Sequence, residues 1–196
     1  MTRLLLVVSV ALTLGLLLIP SGVDAMPEGA VGFKLYHYEG DEWVRYTQGD
    51  PFPPGGGTPG TNVWKYTYCA MNLEFTGGVY QLLVFFNSDA VVDRAQYVSA
   101  TSPEGWGTTY FPPVAPNTNW KVRFRTTNSA YYIMPTDTLC GFEVEFTWTD
   151  PDMPSPQNYD LVATSGSEPG VTHELPPDIT PVESTTWGRL KSLLFR

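Results

Sequence analysis

The stretch Cys140–Trp148, CGFEVEFTW, decides the fold class. Cys140, Phe142, Val144, Phe146 and Trp148 alternate with Gly141, Glu143, Glu145 and Thr147. Successive side chains of a β-strand point to opposite faces, so this period of two reads as a strand with one face on a core and one in water. The alternation places Cys140 on the buried side. Glu143 and Glu145 could imitate the carboxylate pair of a glycosidase, but the strict alternation makes them the solvated face of a half-buried strand.

The same pattern recurs outward from this stretch. Trp120, Val122, Phe124 and Thr126 alternate with Lys121, Arg123 and Arg125, again one face inward and one wet. Val79–Phe86 (VYQLLVFF), bounded by Gly77-Gly78 and Asn87, is apolar on both faces and too short for an ordinary helix, so it reads as a central strand. Trp64–Leu73 (WKYTYCAMNL) is a further strand with blurred alternation. Weaker strands are expected at Phe33–Tyr38, Trp43–Thr47, Ala95–Ala100, Ala130–Ile133 and Asp160–Thr164. Glu39-Gly40-Asp41 can turn the first pair into a hairpin. Pro51–Gly60, Pro103–Pro116 and Asp150–Gln157 are Pro-punctuated loops. No amphipathic helix precedes residue 184 and no repeat is present. The expectation is an all-β chain, an antiparallel β-sandwich.

Cys69 and Cys140 are the only cysteines. In an exported chain they imply a disulfide closing a loop of about 70 residues, worth ~4 kcal/mol in the chain-entropy model. Zinc is disfavoured, because only His37 and His173 could complete four ligands. The spacing of the cysteines fits the inter-sheet bridge of an immunoglobulin domain. No Trp follows Cys69 by a dozen residues, however, and Thr138 stands where a Tyr would precede Cys140. The sandwich is therefore expected to be immunoglobulin-like but not antibody-type.

Residues 1–25 have the layout of a cleavable secretory signal. Arg3 precedes the apolar run Leu4–Ile19, which is broken by Pro20 and Gly22 and ends at the small residue Ala25. As a helix that run spans about 24 Å, short of the ~30 Å hydrocarbon core, so no membrane span is expected in the mature chain. The organisation that follows is a signal at 1–25, an N-terminal hairpin and Pro/Gly loop at 26–60, a β-sandwich at 61–168, a Pro-rich linker at 169–183 and a C-terminal tail at 184–196.

Aromatic residues make up 14% of the chain and charged residues only 16%, against a usual ~25%. Gly and Pro number 18 each without a period, which excludes collagen and suits short strands joined by turns. Residues 26–181 hold seven Lys and Arg against 18 Asp and Glu, whereas 182–196 hold Arg189, Lys191 and Arg196 against Glu183. An acidic body argues against nucleic acid and against polyanionic surfaces. It leaves neutral glycans, cations and proteins as partners.

From Trp64 to about Gly166 the order of motifs resembles a group of uncharacterised secreted bacterial β-sandwich domains. The resemblance is carried by WKYTYCAMN, VYQLLVFF, SPEGW at Ser102–Trp106, WKVRF at Trp120–Phe124 and YYIMPTDTLCGFEVEF at Tyr131–Phe146. It implies a fold and an exported setting, without an activity. In that group the residue after Pro135 is often Gly, where this chain has Thr136.

The ending Ser184–Arg196 (STTWGRLKSLLFR) is similar to the short Trp-Gly, basic-apolar endings of unrelated exported bacterial proteins, which implies a sorting or attachment tail. Ser184 or Thr185 can cap a short helix. Trp187, Leu190 and Leu194 then share one face, with Arg189, Lys191 and Arg196 supplying charge for sorting machinery or a cell-surface partner.

Catalytic motifs are missing: there is no G-x-S-x-G and no H-E-x-x-H. A triad would have to use His37, inside an aromatic strand, or His173, in the linker. The chain reads as a non-enzymatic secreted protein with a binding or structural role. No cofactor is implied beyond a structural Ca²⁺, for which Asp150, Asp152, Asn158 and Asp160 supply oxygens without EF-hand spacing. The alternative reading is a carbohydrate-binding module, and a secreted hydrolase using His37 or His173 is the second alternative. Trp43, Trp106, Tyr110 and Phe111 lie in or beside loops where their rings could stack on sugars, although burial is the commoner role of so large a ring as Trp106.

Overall fold

A computed structural model describes residues 31–53, 62–73, 75–86, 95–114, 119–149 and 152–175. The signal at 1–25, most of the Pro/Gly loop, Asp150, and the tail with Trp187, Arg189, Leu190, Lys191, Leu194 and Arg196 lie outside the described residues.

In chain order the strands are β1 (Val31–Glu39), β2 (Glu42–Tyr46), β3 (Val63–Met71), β4 (Val79–Phe86), β5 (Ala95–Thr101), β6 (Gly107–Phe111), β7 (Trp120–Arg125), β8 (Thr138–Trp148), β9 (Asn158–Ala163), β10 (Gly166–Val171) and β11 (His173–Glu174). They form two sheets. The six-stranded sheet runs β11-β1-β3-β8-β5, with β2 also paired to β1, and the five-stranded sheet runs β10-β9-β4-β7-β6. All pairings are antiparallel except β1 with β11.

The inward side chains of the two sheets make one aromatic-rich core. Trp64, Tyr66, Phe142 and Phe146 come from one sheet and Phe86, Trp120 and Phe124 from the other. Phe86 stacks on Trp120 at 3.8 Å between centroids and Phe124 meets Phe142 at 5.2 Å, so rings interlock across the sheet interface. Burying each large side chain stabilises the fold by roughly 1.5–3 kcal/mol, and paired rings add about 0.5–1.5 kcal/mol.

The expected hairpin forms. Glu39 pairs with Glu42, leaving Gly40 and Asp41 as a two-residue turn with φ of 53° and 76°. Positive φ at both positions matches the right-handed twist of the flanking strands. The hairpin is not a separate unit, because β1 lies between β3 and β11 and sends Val31, Phe33 and Leu35 into the core. The other boundary also moves. Residues 169–175, expected in the linker, belong to β10, β11 and Leu175. Leu175 is buried and covers Gly32 so closely that a Cβ there would meet its Cδ2 at 2.4 Å.

The cysteines pair, but not across the sheets. Cys69 and Cys140 are register partners on the adjacent strands β3 and β8, with Cα atoms 4.0 Å apart. Phe142 faces inward, yet Cys140 does not follow it. The register skips Gly141, whose φ of 96° makes a bulge. One extra residue reverses the alternation and puts the disulfide on the outer face of its sheet. The expectation that Cys140 lies on the core face is thus corrected.

Two further differences are local. Ala130–Ile133, expected as a strand, is a 3₁₀ turn at Ser129–Tyr131 capped by Asn128, followed by a single bridge from Ile133 to Val79. Thr136 adopts a φ of 72°, the left-handed region that a Gly would occupy without strain, and its N–H donates to the Asn72 carbonyl at 2.6 Å.

Candidate ligand-binding face

Strand β7 places its side chains by simple alternation. Trp120, Val122 and Phe124 are buried, and Lys121, Arg123 and Arg125 point to the outer face of the five-stranded sheet. The neighbouring strands β4 and β6 carry no charged residue. On β4, β6 and β7 an acidic chain of net charge −9 therefore displays only cations outward, with the acid Asp160 on β9, two strands from β7.

The register orders this face into columns. Lys121, Arg123 and Arg125 on β7 pair with Phe85, Leu83 and Gln81 on β4. Phe85, Leu83 and Gln81 pair in turn with Asn158, Asp160 and Val162 on β9. A basic column, a largely apolar column and a hydrogen-bonding column thus run side by side. At about 4.8 Å per strand, the basic and hydrogen-bonding columns lie roughly 10 Å apart. Beyond β9, Ser167, Pro169 and Val171 of β10 complete a shallow groove with Phe85, Asn158 and Asp160.

The cations rest against rings. Lys121 Nζ lies 5.6 Å from the Phe85 centroid and 5.3 Å from that of Phe111, Arg123 lies 5.1 Å from Phe111, and Arg125 lies 5.7 Å from Tyr80. Such contacts hold the charged heads in place without neutralising them. None of the three has a carboxylate within 4.0 Å among the described residues, whose ion pairs are His37–Glu39 and Lys65–Glu143. Among the described residues Arg123 donates a hydrogen bond only to the Thr109 hydroxyl, at 3.4 Å, and its buried Nε has no hydrogen-bond partner.

The outer face of the six-stranded sheet is arranged differently. Lys65 pairs with Glu143 at 3.7 Å and sits 4.3 Å from the Trp43 ring. Thr67 and Thr101 donate to Glu143, and Ser99 donates to Glu145 at 2.9 Å. The carboxylates of β8 are thus met by a cation and by hydroxyls of the strands beside them.

The sugar-stacking candidates are mostly used elsewhere. Trp106 is 7% exposed, donates its indole N–H to the Tyr131 carbonyl at 3.0 Å and meets Phe142 edge-on at 5.0 Å. It plugs the corner where the chain crosses from β5 to β6. The turn before it needs Gly105, whose φ is 76° and where a Cβ would meet the Tyr131 ring at 2.3 Å. Tyr110 pairs with the inward-facing Val122 and stacks on Tyr97 at 4.1 Å, closing the seam between β5 and β6. Trp43 is half-buried beside Tyr38, with which it makes a 57° angle rather than a coplanar row. Phe111, one residue from Tyr110, is the ring that reaches the basic face.

Of the proposed calcium ligands, Asp150 lies outside the described residues. Asn158 and Asp160 point outward from β9, and the Asp152 carbonyl accepts the Trp148 indole N–H at 2.6 Å. Among the described residues no group of three His, Cys, Asp or Glu could hold a metal ion.

His37 is buried with both ring nitrogens engaged, Nδ1 to Glu39 at 2.9 Å and Nε2 to the Asn62 side-chain oxygen at 2.8 Å. Asn62 donates onward to the Trp148 carbonyl, which fixes its oxygen toward the ring. The Tyr46 hydroxyl and then His37 hold the Glu39 carboxyl below the usual carboxylate range. Burial and the neighbouring Glu39 push the Tyr46 hydroxyl up to about 12. This is a clasp tying the hairpin to the sheet, with no nitrogen left for a serine. Both His173 nitrogens are buried without hydrogen-bond partners among the described residues, and burial lowers its pKa, favouring the neutral ring.

No protein-family model matches the chain, and no curated protein matches it. Among solved structures it is similar to an uncharacterized protein from Nocardia farcinica whose crystal structure reveals an immunoglobulin-like fold. That likeness has 12% sequence identity and a TM-score of 0.42, covering 62% of this chain and 80% of the other. A superposition this loose carries over neither a ligand nor a site.

The basic column was legible in the sequence as three cations of one parity within six residues. Their alternation marked them only as a solvated face, and the negative total charge concealed that they stand together without an ion pair among the described residues.

Proposed function

We propose that this chain is an exported, non-catalytic β-sandwich that acts by binding, and that the outer face of its five-stranded sheet is the working surface. The observation that carries this reading is the column Lys121, Arg123 and Arg125, three cations without carboxylate partners among the described residues of an acidic chain. Surfaces that serve stability alone tend to pair such charges, because repulsion between like charges is unfavourable. The engaged nitrogens of His37 support a structural use of that residue. The Cys69–Cys140 disulfide fits an oxidising compartment. In this reading residues 1–25 direct export and residues 184–196 dock the chain to sorting or surface machinery.

The test is the partition of the protein between cell envelope and medium, for the full chain, for a chain lacking 184–196 and for the triple variant Lys121→Gln, Arg123→Gln, Arg125→Gln. Each change should shift protein into the medium. A partition unmoved by the triple variant removes the working face, and one unmoved by the truncation removes the docking tail.

A further inference from the structure

The outer face of the five-stranded sheet is more than basic; it is graded from strand to strand. Cations occupy β7, Leu83 and Phe85 occupy β4, and Asn158 and Asp160 occupy β9, with Pro169 and Val171 of β10 walling the far side. The track from cation to hydrogen-bonding side chain is about 10 Å wide, and three cations at alternate positions extend it for about 14 Å along the strand. A ligand matching this cross-section has anionic groups on one edge, an apolar face in the middle and hydroxyls on the opposite edge, repeated along its length.

We propose that this face binds an acidic polysaccharide of the uronic-acid type. This rests on the binding reading above and names its ligand class. A uronate ring carries its carboxylate on one side and secondary hydroxyls on the other, with C–H faces between. The carboxylates meet Lys121, Arg123 and Arg125 in charge-assisted hydrogen bonds. The ring faces lie over Leu83, and the hydroxyls donate to Asp160 and exchange hydrogen bonds with Asn158. The flat, five-stranded surface suits a polymer rather than an enclosed small molecule.

Single-stranded nucleic acid is the competing polyanion, and two observations disfavour it. Nucleobases need free aromatic faces to stack on, whereas the rings of Phe85, Phe111 and Tyr80 already have cations over them. Asp160 sits in the same face, where its carboxylate accepts from a sugar hydroxyl, a donor that internal deoxyribonucleotides lack.

The test is native affinity electrophoresis of the purified protein in gels containing polygalacturonate, uncharged dextran or oligo-deoxythymidine. Polygalacturonate should retard the protein and dextran should not. Retardation should weaken with added salt, since exposed charges are screened over about 10 Å at 0.1 M. The triple Gln variant should lose at least about tenfold in affinity, while Arg123→Lys with Arg125→Lys, which keeps the charge, should retain most of it.

Asp160→Asn is the discriminating variant. It should weaken polygalacturonate binding, because a charged hydroxyl acceptor becomes a weaker neutral amide acceptor, while easing any binding of oligo-deoxythymidine. Tighter polygalacturonate binding in Asp160→Asn, or equal retardation of wild type and the triple variant, overturns the proposal. Stronger retardation by oligo-deoxythymidine than by polygalacturonate reassigns the face to nucleic acid. An envelope partition that depends on the basic column, with no polygalacturonate retardation, sinks this ligand class and leaves the binding reading standing.

Discussion

The two outer faces of the sandwich obey the same pleat and end in opposite electrostatic states. On the six-stranded sheet, Lys65 meets Glu143, and Glu143 and Glu145 collect hydroxyls from the two neighbouring strands. On the five-stranded sheet, Lys121, Arg123 and Arg125 lean on rings and meet no described carboxylate. The difference teaches that an exposed strand face can close its own interactions or leave them open, and that only the open one retains free capacity for a ligand. Total charge does not reveal which is which, because it sums over both.

The comparison presumes that both faces belong to one cooperative body, and Trp106 is where that can be broken. Its ring precedes β6 of one sheet and packs on Phe142 of the other. Trp106→Ala should cost about 3–5 kcal/mol, the range for deleting a large buried aromatic. Denaturant unfolding followed by far-ultraviolet circular dichroism should show one transition moved to lower denaturant, with β structure lost as a unit. A loss below about 1 kcal/mol would mean that the indole is a surface group after all, and would return it to the sugar-stacking candidates.

Strands that bury one face were legible in the sequence; strands held only by their partners' backbone were not. β7 and β8 announce themselves through alternation, and β4 through an unbroken apolar run. β6, with Gly107-Thr108-Thr109, and β10, with Pro169 and Gly170, lack both signals and read as loop. Both are edge strands, where ladder hydrogen bonds from β7 and β9 supply what side-chain pattern does not, and where a Pro is tolerated. Parity failed at one place. Gly141 inserts a bulge, so Cys140 faces outward although five residues of perfect alternation point it inward. A Gly beside the cysteine was the available signal. The candidate face was readable strand by strand, but its columns depend on registers between β7, β4 and β9 that no local pattern encodes.

A smaller effect sharpens the comparison directly. A double-mutant cycle on Lys65 and Glu143 should return a coupling of about 0.2–1 kcal/mol, the usual range for a partly exposed pair. The matching cycle on Arg123 and Asp160, which flank Leu83 on the other sheet, should return a coupling near zero. The two side chains stand two strands, roughly 10 Å, apart, where salt screens most of the attraction. Thermal unfolding of the four variants in each cycle measures both terms. Equal couplings would erase the distinction between a closed and an open face.

The smallest effect separates the faces by pH. His173 lies at the edge of the six-stranded sheet with both nitrogens buried and without hydrogen-bond partners among the described residues, and burial lowers its pKa from the ordinary 6.5. The unfolded chain therefore binds a proton there before the folded chain does. Stability that is fully present above about pH 6.5 should fall as pH drops through that value toward the lowered folded pKa. His173→Gln should remove this component, seen as a flatter dependence of the thermal midpoint between pH 8 and about pH 5. The basic face on β4, β6 and β7 carries no histidine, so polygalacturonate retardation should hold steady while the midpoint declines. A midpoint slope identical in wild type and His173→Gln would show that the ring gains a proton without cost. Retardation that tracked the midpoint would show that the open face depends on the state of the closed one.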